Sequence, residues 1–135
     1  MDKTFKVEIY TPFGKYLSTE ATYLSTTTPV GVLGVLPNHA PFISTLEISK
    51  LIIKNNNTQT IYALSGGVIH IKKDHSVVLL VNTIENQNEI DVARALASKN
   101  RALNRLNHSS MEVDIARAKL SLLRATNRIS VSEYK

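Results

Sequence analysis

Hydrophobic and polar positions change their period once along this chain, near residue 90. Phe5, Val7 and Ile9 alternate with Lys6 and Glu8, the period-two signature of a strand with one buried face. Pro12-Phe13-Gly14 breaks that run, and further strands are expected at about 16–25, 30–36, 42–53, 59–64, 67–72 and 76–82. Turn-rich clusters such as Asn55-Asn56-Asn57 and Lys73-Asp74-His75 separate them. Residues Val77 to Val81 are apolar throughout, which predicts a strand covered on both faces. Many short strands with frequent turns favour a sandwich or a flattened barrel.

Beyond residue 90 the period lengthens. Val92, Leu96, Lys99, Leu103 and Leu106 step by four and three residues in turn, and so do Met111, Ile115, Ala118, Leu122, Ala125 and Ile129. This predicts two amphipathic helices. Asp91 stands where it can cap the first, and Ser109 with Glu112 has the form of a capping box for the second. The short link Asn107-His108 makes the two helices antiparallel neighbours. The expected organisation is a β part over residues 1–86, then a linker and helical hairpin over 87–135.

Composition narrows the chemistry. At 135 residues the chain has room for one domain and a small second element. With 43% hydrophobic and 20% charged residues it has globular, not disordered, composition. The absence of cysteine excludes disulfides, thiolate metal sites and cysteine nucleophiles. Residues 1–90 carry seven lysines against seven acids, whereas residues 91–135 carry nine basic side chains against four acids and hold all six arginines. That asymmetry directs the helical part toward something anionic. No apolar run approaches the ~20 residues that span a bilayer. The N-terminus has no secretory pattern, so a cytoplasm-like compartment is expected.

No catalytic constellation emerges. His39, His70, His75 and His108 are scattered without ligand spacing, so no metal site is expected. Ser65-Gly66-Gly67 lacks the frame of a nucleophile elbow, and its glycines mark a bulge or a close backbone crossing. No phosphate-binding glycine loop is present. Two segments stand out instead. Gly34-Val35-Leu36-Pro37-Asn38-His39-Ala40-Pro41 holds two prolines four residues apart, which predicts a rigid loop. Arg94, Ser98, Arg101 and Arg105, and again Arg117, Ser121, Arg124 and Arg128, step by 4, 3, 4 and give each helix a basic stripe. A turn near residue 108 sets Arg94 close to Arg124 and Arg128. The plain reading of such stripes is a solvated basic face. Against it, like charges 4 Å apart near a surface repel by up to ~4 kcal/mol unless an anion joins them.

These residues resemble the epsilon subunit of F-type ATP synthases. Gly31 and Gly34 to Pro41 resemble the family's loop signature, and Leu64-Ser65-Gly66-Gly67-Val68 its Gly-Gly strand turn. Ile90-Asp91-Val92-Ala93-Arg94-Ala95 and Leu122 to Arg128 are similar to its two helices. The resemblance covers the whole chain in order. Leu46-Glu47-Ile48-Ser49-Lys50 departs from it, because many members carry a Lys-Pro-Gly turn there.

The resemblance implies a flattened ten-stranded β-sandwich followed by an antiparallel two-helix hairpin, in a non-catalytic subunit that helps couple proton transport to ATP synthesis. The sandwich would join the gamma subunit and the c-ring in the central rotor stalk, with Gly34, Leu36, Pro37, Asn38, His39 and Pro41 forming an assembly loop. The hairpin would extend toward the alpha and beta catalytic subunits and impede ATP hydrolysis. No cofactor is required. ATP would act as a regulatory ligand held by Glu85, Ile90, Asp91, Arg94, Ala95, Arg101, Arg124 and Arg128. The implied location is peripheral, on the cytoplasmic face of a bacterial plasma membrane, with the stromal face of a plastid thylakoid as the alternative. A nucleic-acid-binding module with a basic hairpin is the rival reading. The charge-balanced first part, without an aromatic RNA-binding strand motif, speaks against nucleic acid as a partner.

Overall fold

The alternation at Phe5, Val7 and Ile9 is realised as β1 (Phe5–Thr11), with all three apolar side chains buried. The computed structural model describes residues 3–108 and 111–134, apart from the Val113 side chain. The capping box of Ser109 with Glu112 therefore lies outside the described residues. Seven further strands follow: β2 (Gly14–Ala21), β3 (Tyr23–Thr28), β4 (Gly31–Val35), β5 (Phe42–Asn55), β6 (Thr58–Ile71), β7 (Val77–Val81) and β8 (Ile84–Asn86). One turn of 3-10 helix (Gln87–Glu89) leads to α1 (Val92–His108) and α2 (Glu112–Glu133). The chain divides into two compact units, Met1–Asn86 and Gln87–Lys135.

The first unit is a sandwich of eight hydrogen-bonded strands among the described residues, where ten were expected. The difference lies in β5 and β6, which are long and serve both layers. Residues Gly67 to Ile71 of β6 pair with β7, whereas Tyr62 to Leu64 pair with β8. Residues Ile52 to Lys54 of β5 pair with β3. One layer therefore runs β2-β1-β7-β6-β5 and the other β8-β6-β5-β3-β4. The segments expected separately at 59–64 and 67–72 are one bent strand. Its bend falls at Gly66 (φ 105) and Gly67 (φ 148), conformations that L side chains rarely adopt. A Cβ on Gly67 would lie 2.1 Å from the Leu80 carbonyl oxygen and 2.7 Å from Val81 Cα, so the backbones of β6 and β7 cross where only glycine fits.

Two further expectations are corrected. The run 16–25 is two strands, because the chain turns a corner at Thr22. There the Thr22 amide (2.7 Å) and hydroxyl (3.1 Å) both donate to the Lys54 carbonyl. The buried positions change phase there, from Ala21 to Leu24, but no glycine or proline marks the place as a turn. Strand β7 is covered on one face only: Val77, Leu79 and Val81 are buried, whereas Leu80 on the outer face is 53% exposed. The departing segment from Leu46 to Lys50 continues as strand within β5, with Leu46 buried.

The sandwich core is a single cluster. Val7, Ile9, Leu24, Val35, Leu51, Leu64, Ile69, Ile71, Val77 and Leu79 are among its members and are sealed from solvent. Each buried aliphatic side chain of this kind contributes ~1.5–3 kcal/mol.

The hairpin packs differently. Its seam is made of Ala95 and Ala102 on α1 against Ala118 and Ala125 on α2, each at most 2% exposed. On α2 the expected stripe already contained both alanines. On α1 the expected stripe of Val92, Leu96 and Leu103 lies beside the seam, and Leu96 remains 45% exposed. Small side chains let two helix backbones approach closely, so larger neighbours are left at the flanks. Asp91 does cap α1: its Oδ1 accepts the Arg94 amide at 3.0 Å and its carbonyl accepts the Ala95 amide at 3.0 Å. At the far end of α2 the Gln87 side-chain amide donates to the Val131 carbonyl (2.9 Å) and to that of Tyr134. Those carbonyls belong to the end of the helix, which has no further helical donors.

Candidate functional site

In the sandwich, the proline loop is fixed by local chemistry. Pro37 presets one turn angle, Asn38 adopts φ 68, and the His39 amide donates back to the Leu36 carbonyl at 3.2 Å. Proline followed by a residue of positive φ is the order a type II turn requires. His75, on the turn between β6 and β7, bonds the His39 carbonyl through Nδ1 at 3.0 Å and ties the loop to the sheet. Gly34 lies flat on Tyr23, where an added Cβ would come within 3.1 Å of the phenol oxygen. The loop thus holds Leu36 out, 60% exposed, beside exposed Asn38 and Pro41. On the outer face of the sheet, Leu80 pairs with Val68, and Ile43 shares a row with His70 and Val78. Ile43 is also largely exposed.

Elsewhere in the sandwich, Glu8 accepts a hydrogen bond from the Tyr10 hydroxyl (2.7 Å) and ion pairs from Lys15 (3.2 Å) and Lys6 (3.4 Å). The Tyr10 bond first, then the two lysines, hold its carboxyl down at a pKa of about 2. Asp74 is also held below the usual carboxylate range, by hydrogen bonds from the hydroxyl and amide of Ser76.

In the hairpin, the two basic stripes border one groove of about 340 Å³. Ser98, Arg101 and Arg105 line it from α1, Ser121, Arg124 and Arg128 from α2, and the seam residues Ala102 and Ala125 form its floor. Among the described residues, no carboxylate lines it. Arg101 Nη2 donates to Ser98 Oγ at 3.0 Å. A second hollow toward the turn is lined by Arg105, His108, Asp114 and Arg117.

The residues expected to hold ATP are distributed as follows. Arg101, Arg124 and Arg128 share the groove. Arg94 is exposed in the first turn of α1 and does not line it; Arg105 does. Asp91 is engaged as the α1 cap, Ala95 is sealed in the seam, and Ile90 is half-buried ahead of the helix. Glu85 is half-buried on β8, paired with Ala63. Ser98, Ser121 and Arg105 were expected as stripe members but not as part of the site. Their common 4, 3, 4 spacing was the signal that could have included them. Among the described residues, no group of three or more His, Asp or Glu is arranged to hold a metal ion. No helix among them is long and apolar enough to cross a membrane.

Residues 4–87 match the family model for the beta-sandwich domain of the ATP synthase delta/epsilon chain, and residues 88–133 match that for its long alpha-helix domain. The chain belongs to the epsilon-chain family of F-type ATP synthases. It is 40% identical over 104 residues to the ATP synthase epsilon chain of Bacillus licheniformis, covering 77% of this chain and 79% of that one. It is 41% identical over 105 residues to that of Pelotomaculum thermopropionicum, covering 78% of each. In fold it is similar to a chain of the Euglena gracilis mitochondrial ATP synthase (TM-score 0.83, 17% identity, covering 92% of this chain and 78% of that one). It is also similar to one from the central stalk and c-ring of the Tetrahymena thermophila mitochondrial ATP synthase (TM-score 0.70, 14% identity, covering 97% and 98%). As an epsilon chain it is a subunit of the synthase complex, and the two family regions correspond to the sandwich and the hairpin.

Proposed function

We propose that this epsilon chain is a non-catalytic rotor subunit of the central stalk, in which the sandwich carries assembly and the hairpin carries regulation. The observation that carries the reading is the contrast in packing. The sandwich has a large aliphatic core and leaves Leu36, Ile43 and Leu80 on its surface, as a subunit built into a larger assembly would. The hairpin is joined by alanines, which bury little area, around an arginine-lined groove. The sandwich, with its loop from Gly34 to Pro41, binds the gamma subunit and the c-ring. The mobile hairpin reaches the alpha and beta catalytic subunits and restrains ATP hydrolysis. The subunit is held peripherally at the cytoplasmic face of a bacterial plasma membrane through the complex.

ATP binds the hairpin without being hydrolysed. Arg101, Arg124 and Arg128 supply charge-assisted hydrogen bonds to its phosphates. A ligand that binds one hairpin position alone stabilises it by ~2.7 kcal/mol at a hundredfold excess over its dissociation constant. That is enough to reverse a weakly biased switch.

Deletion of residues 88–135 tests the division of labour. Gamma should still co-purify with the truncated chain, and ATP hydrolysis by the assembled enzyme should rise. Loss of gamma binding on that deletion, or unchanged hydrolysis, overturns the reading. For the nucleotide, calorimetry should detect ATP binding to the full chain and its loss in Arg124→Ala with Arg128→Ala.

A further inference from the structure

The last carbonyls of an α-helix have no helical amide to pair with, and the helix dipole makes that end negative. Basic side chains often answer both demands, but the last turn of α2 carries none. The Tyr134 amide reaches back to the Val131 carbonyl at 3.1 Å. A further donor comes from far away in the sequence. The Gln87 side-chain amide sends one proton to the Val131 carbonyl at 2.9 Å and the other to the Tyr134 carbonyl. Both acceptors are oxygens, so it is the nitrogen of this amide that faces the helix end.

Position gives these bonds their consequence. Gln87 opens the 3-10 turn between β8 and α1, so it stands at the root of the hairpin. Its bond to Val131 spans 44 residues and closes the open end of the hairpin, away from the turn between the helices. Beyond Ala125, the last alanine of the seam, Val131 is the buried side chain of α2. Its carbonyl is one of the two that Gln87 holds. We infer that Gln87 is a latch: its side-chain amide pins the end of α2 to the hairpin root, and its release frees the last turns of α2 to leave α1. This deepens the regulatory reading of the hairpin and rests on it for the effect in the complex, where the freed α2 is the form that restrains hydrolysis. Two hydrogen bonds of ordinary net strength favour the latched form by about tenfold. Contacts made by the freed helix on a partner can reverse a bias of that size. A primary amide neither titrates nor carries charge, so the latch holds across neutral pH and is little affected by salt.

The test compares two substitutions of opposite sign. Gln87→Glu keeps the shape but sets a carboxylate against two carbonyl oxygens at the negative end of a helix. Gln87→Lys restores a donor and adds a favourable charge. Unshifted amide signals from the sandwich verify that each variant is folded. In the isolated full chain, amide exchange over residues 127–134 should quicken by about tenfold in Gln87→Glu and stay near wild type in Gln87→Lys. Residues 99–106 of α1 should change in neither. In the assembled enzyme, Gln87→Glu should lower ATP hydrolysis by about twofold or more, and Gln87→Lys should not. Exchange as slow in Gln87→Glu as in wild type overturns the latch and leaves the regulatory reading standing. Exchange that quickens equally in Gln87→Lys also overturns it, because the position and not the donor would then matter. Faster exchange with steady hydrolysis, in an enzyme that deletion of residues 88–135 does activate, overturns the latch as a regulatory device. Hydrolysis unmoved by that deletion removes the regulatory reading, and the exchange rates alone then decide the latch.

Discussion

The sandwich and the hairpin bury different kinds of side chain. In the sandwich, Ile9, Leu24, Leu51, Leu64, Ile69, Ile71 and Leu79 are sealed in one cluster fed by both layers. In the hairpin, four alanines form the seam, and Val131 is the larger buried side chain near the end of α2. A buried leucine contributes ~1.5–3 kcal/mol and a methyl group ~0.8 kcal/mol. Most of a helix's stability in a protein comes from the packing of its apolar face, and here that face is mainly alanine. One chain thus combines a unit that holds its own shape with one that packing holds only weakly. That difference in packing is the ground for the proposed division between assembly and regulation.

The largest effect is expected where the sandwich has no room. Gly67→Ala places a methyl group against the Leu80 carbonyl oxygen and imposes a side chain at φ 148. It should destabilise the sandwich by on the order of 4 kcal/mol or more, seen as loss of dispersed amide signals from residues 5–81. A variant with an unchanged urea midpoint would show that β6 and β7 can separate at that crossing.

Next in size is a matched pair of truncations. Leu79→Ala in the sandwich should cost ~2–5 kcal/mol, whereas Ala118→Gly in the hairpin should cost about 1 kcal/mol. Urea titrations that follow the NMR signals of each unit separately would measure both. Equal costs would contradict the contrast in packing.

Asp91→Ala removes the α1 cap and should lower hairpin stability by ~1 kcal/mol, read as reduced helicity and faster amide exchange at Arg94 and Ala95. If ATP binding falls while helicity is unchanged, Asp91 contacts the ligand in addition to capping.

The smallest effect is a pH dependence confined to the sandwich. Glu8 is held at a pKa of about 2, below its ordinary 4.5. The unfolded chain therefore binds the proton first. The stabilisation is fully present above pH 4.5 and is lost as pH falls from there through 2. Glu8→Gln should flatten the sandwich's acid transition in that window and leave the hairpin's unchanged.

Much of this was legible in sequence because each signal is local. Period two identified the buried face of β1, since neighbouring side chains in a strand must point oppositely. The 4, 3 steps announced both helices, Asp91 announced the start of the first, and Pro37-Asn38 announced a tight turn. The common 4, 3, 4 spacing of the arginine stripes announced that both helices present basic side chains, and Arg101, Arg105, Arg124 and Arg128 do line one groove.

The tertiary structure decided what local pattern cannot carry. No glycine or proline marks the corner at Thr22, where the buried positions change phase between Ala21 and Leu24, and Gly66-Gly67 reads equally as a break between strands or a bend within one. Where one strand becomes two, or two become one, depends on which partner strand accepts the hydrogen bonds. The apolar run from Val77 to Val81 is the same whether its outer face meets protein or solvent. Within α1, leucine outranks alanine in hydrophobicity, yet the seam went to Ala95 and Ala102 because close backbone approach selects small side chains. The groove followed from direction as well as spacing. Both stripes were visible in the sequence, but the opposed tilt of two antiparallel helices brought Arg105 in and left Arg94 out.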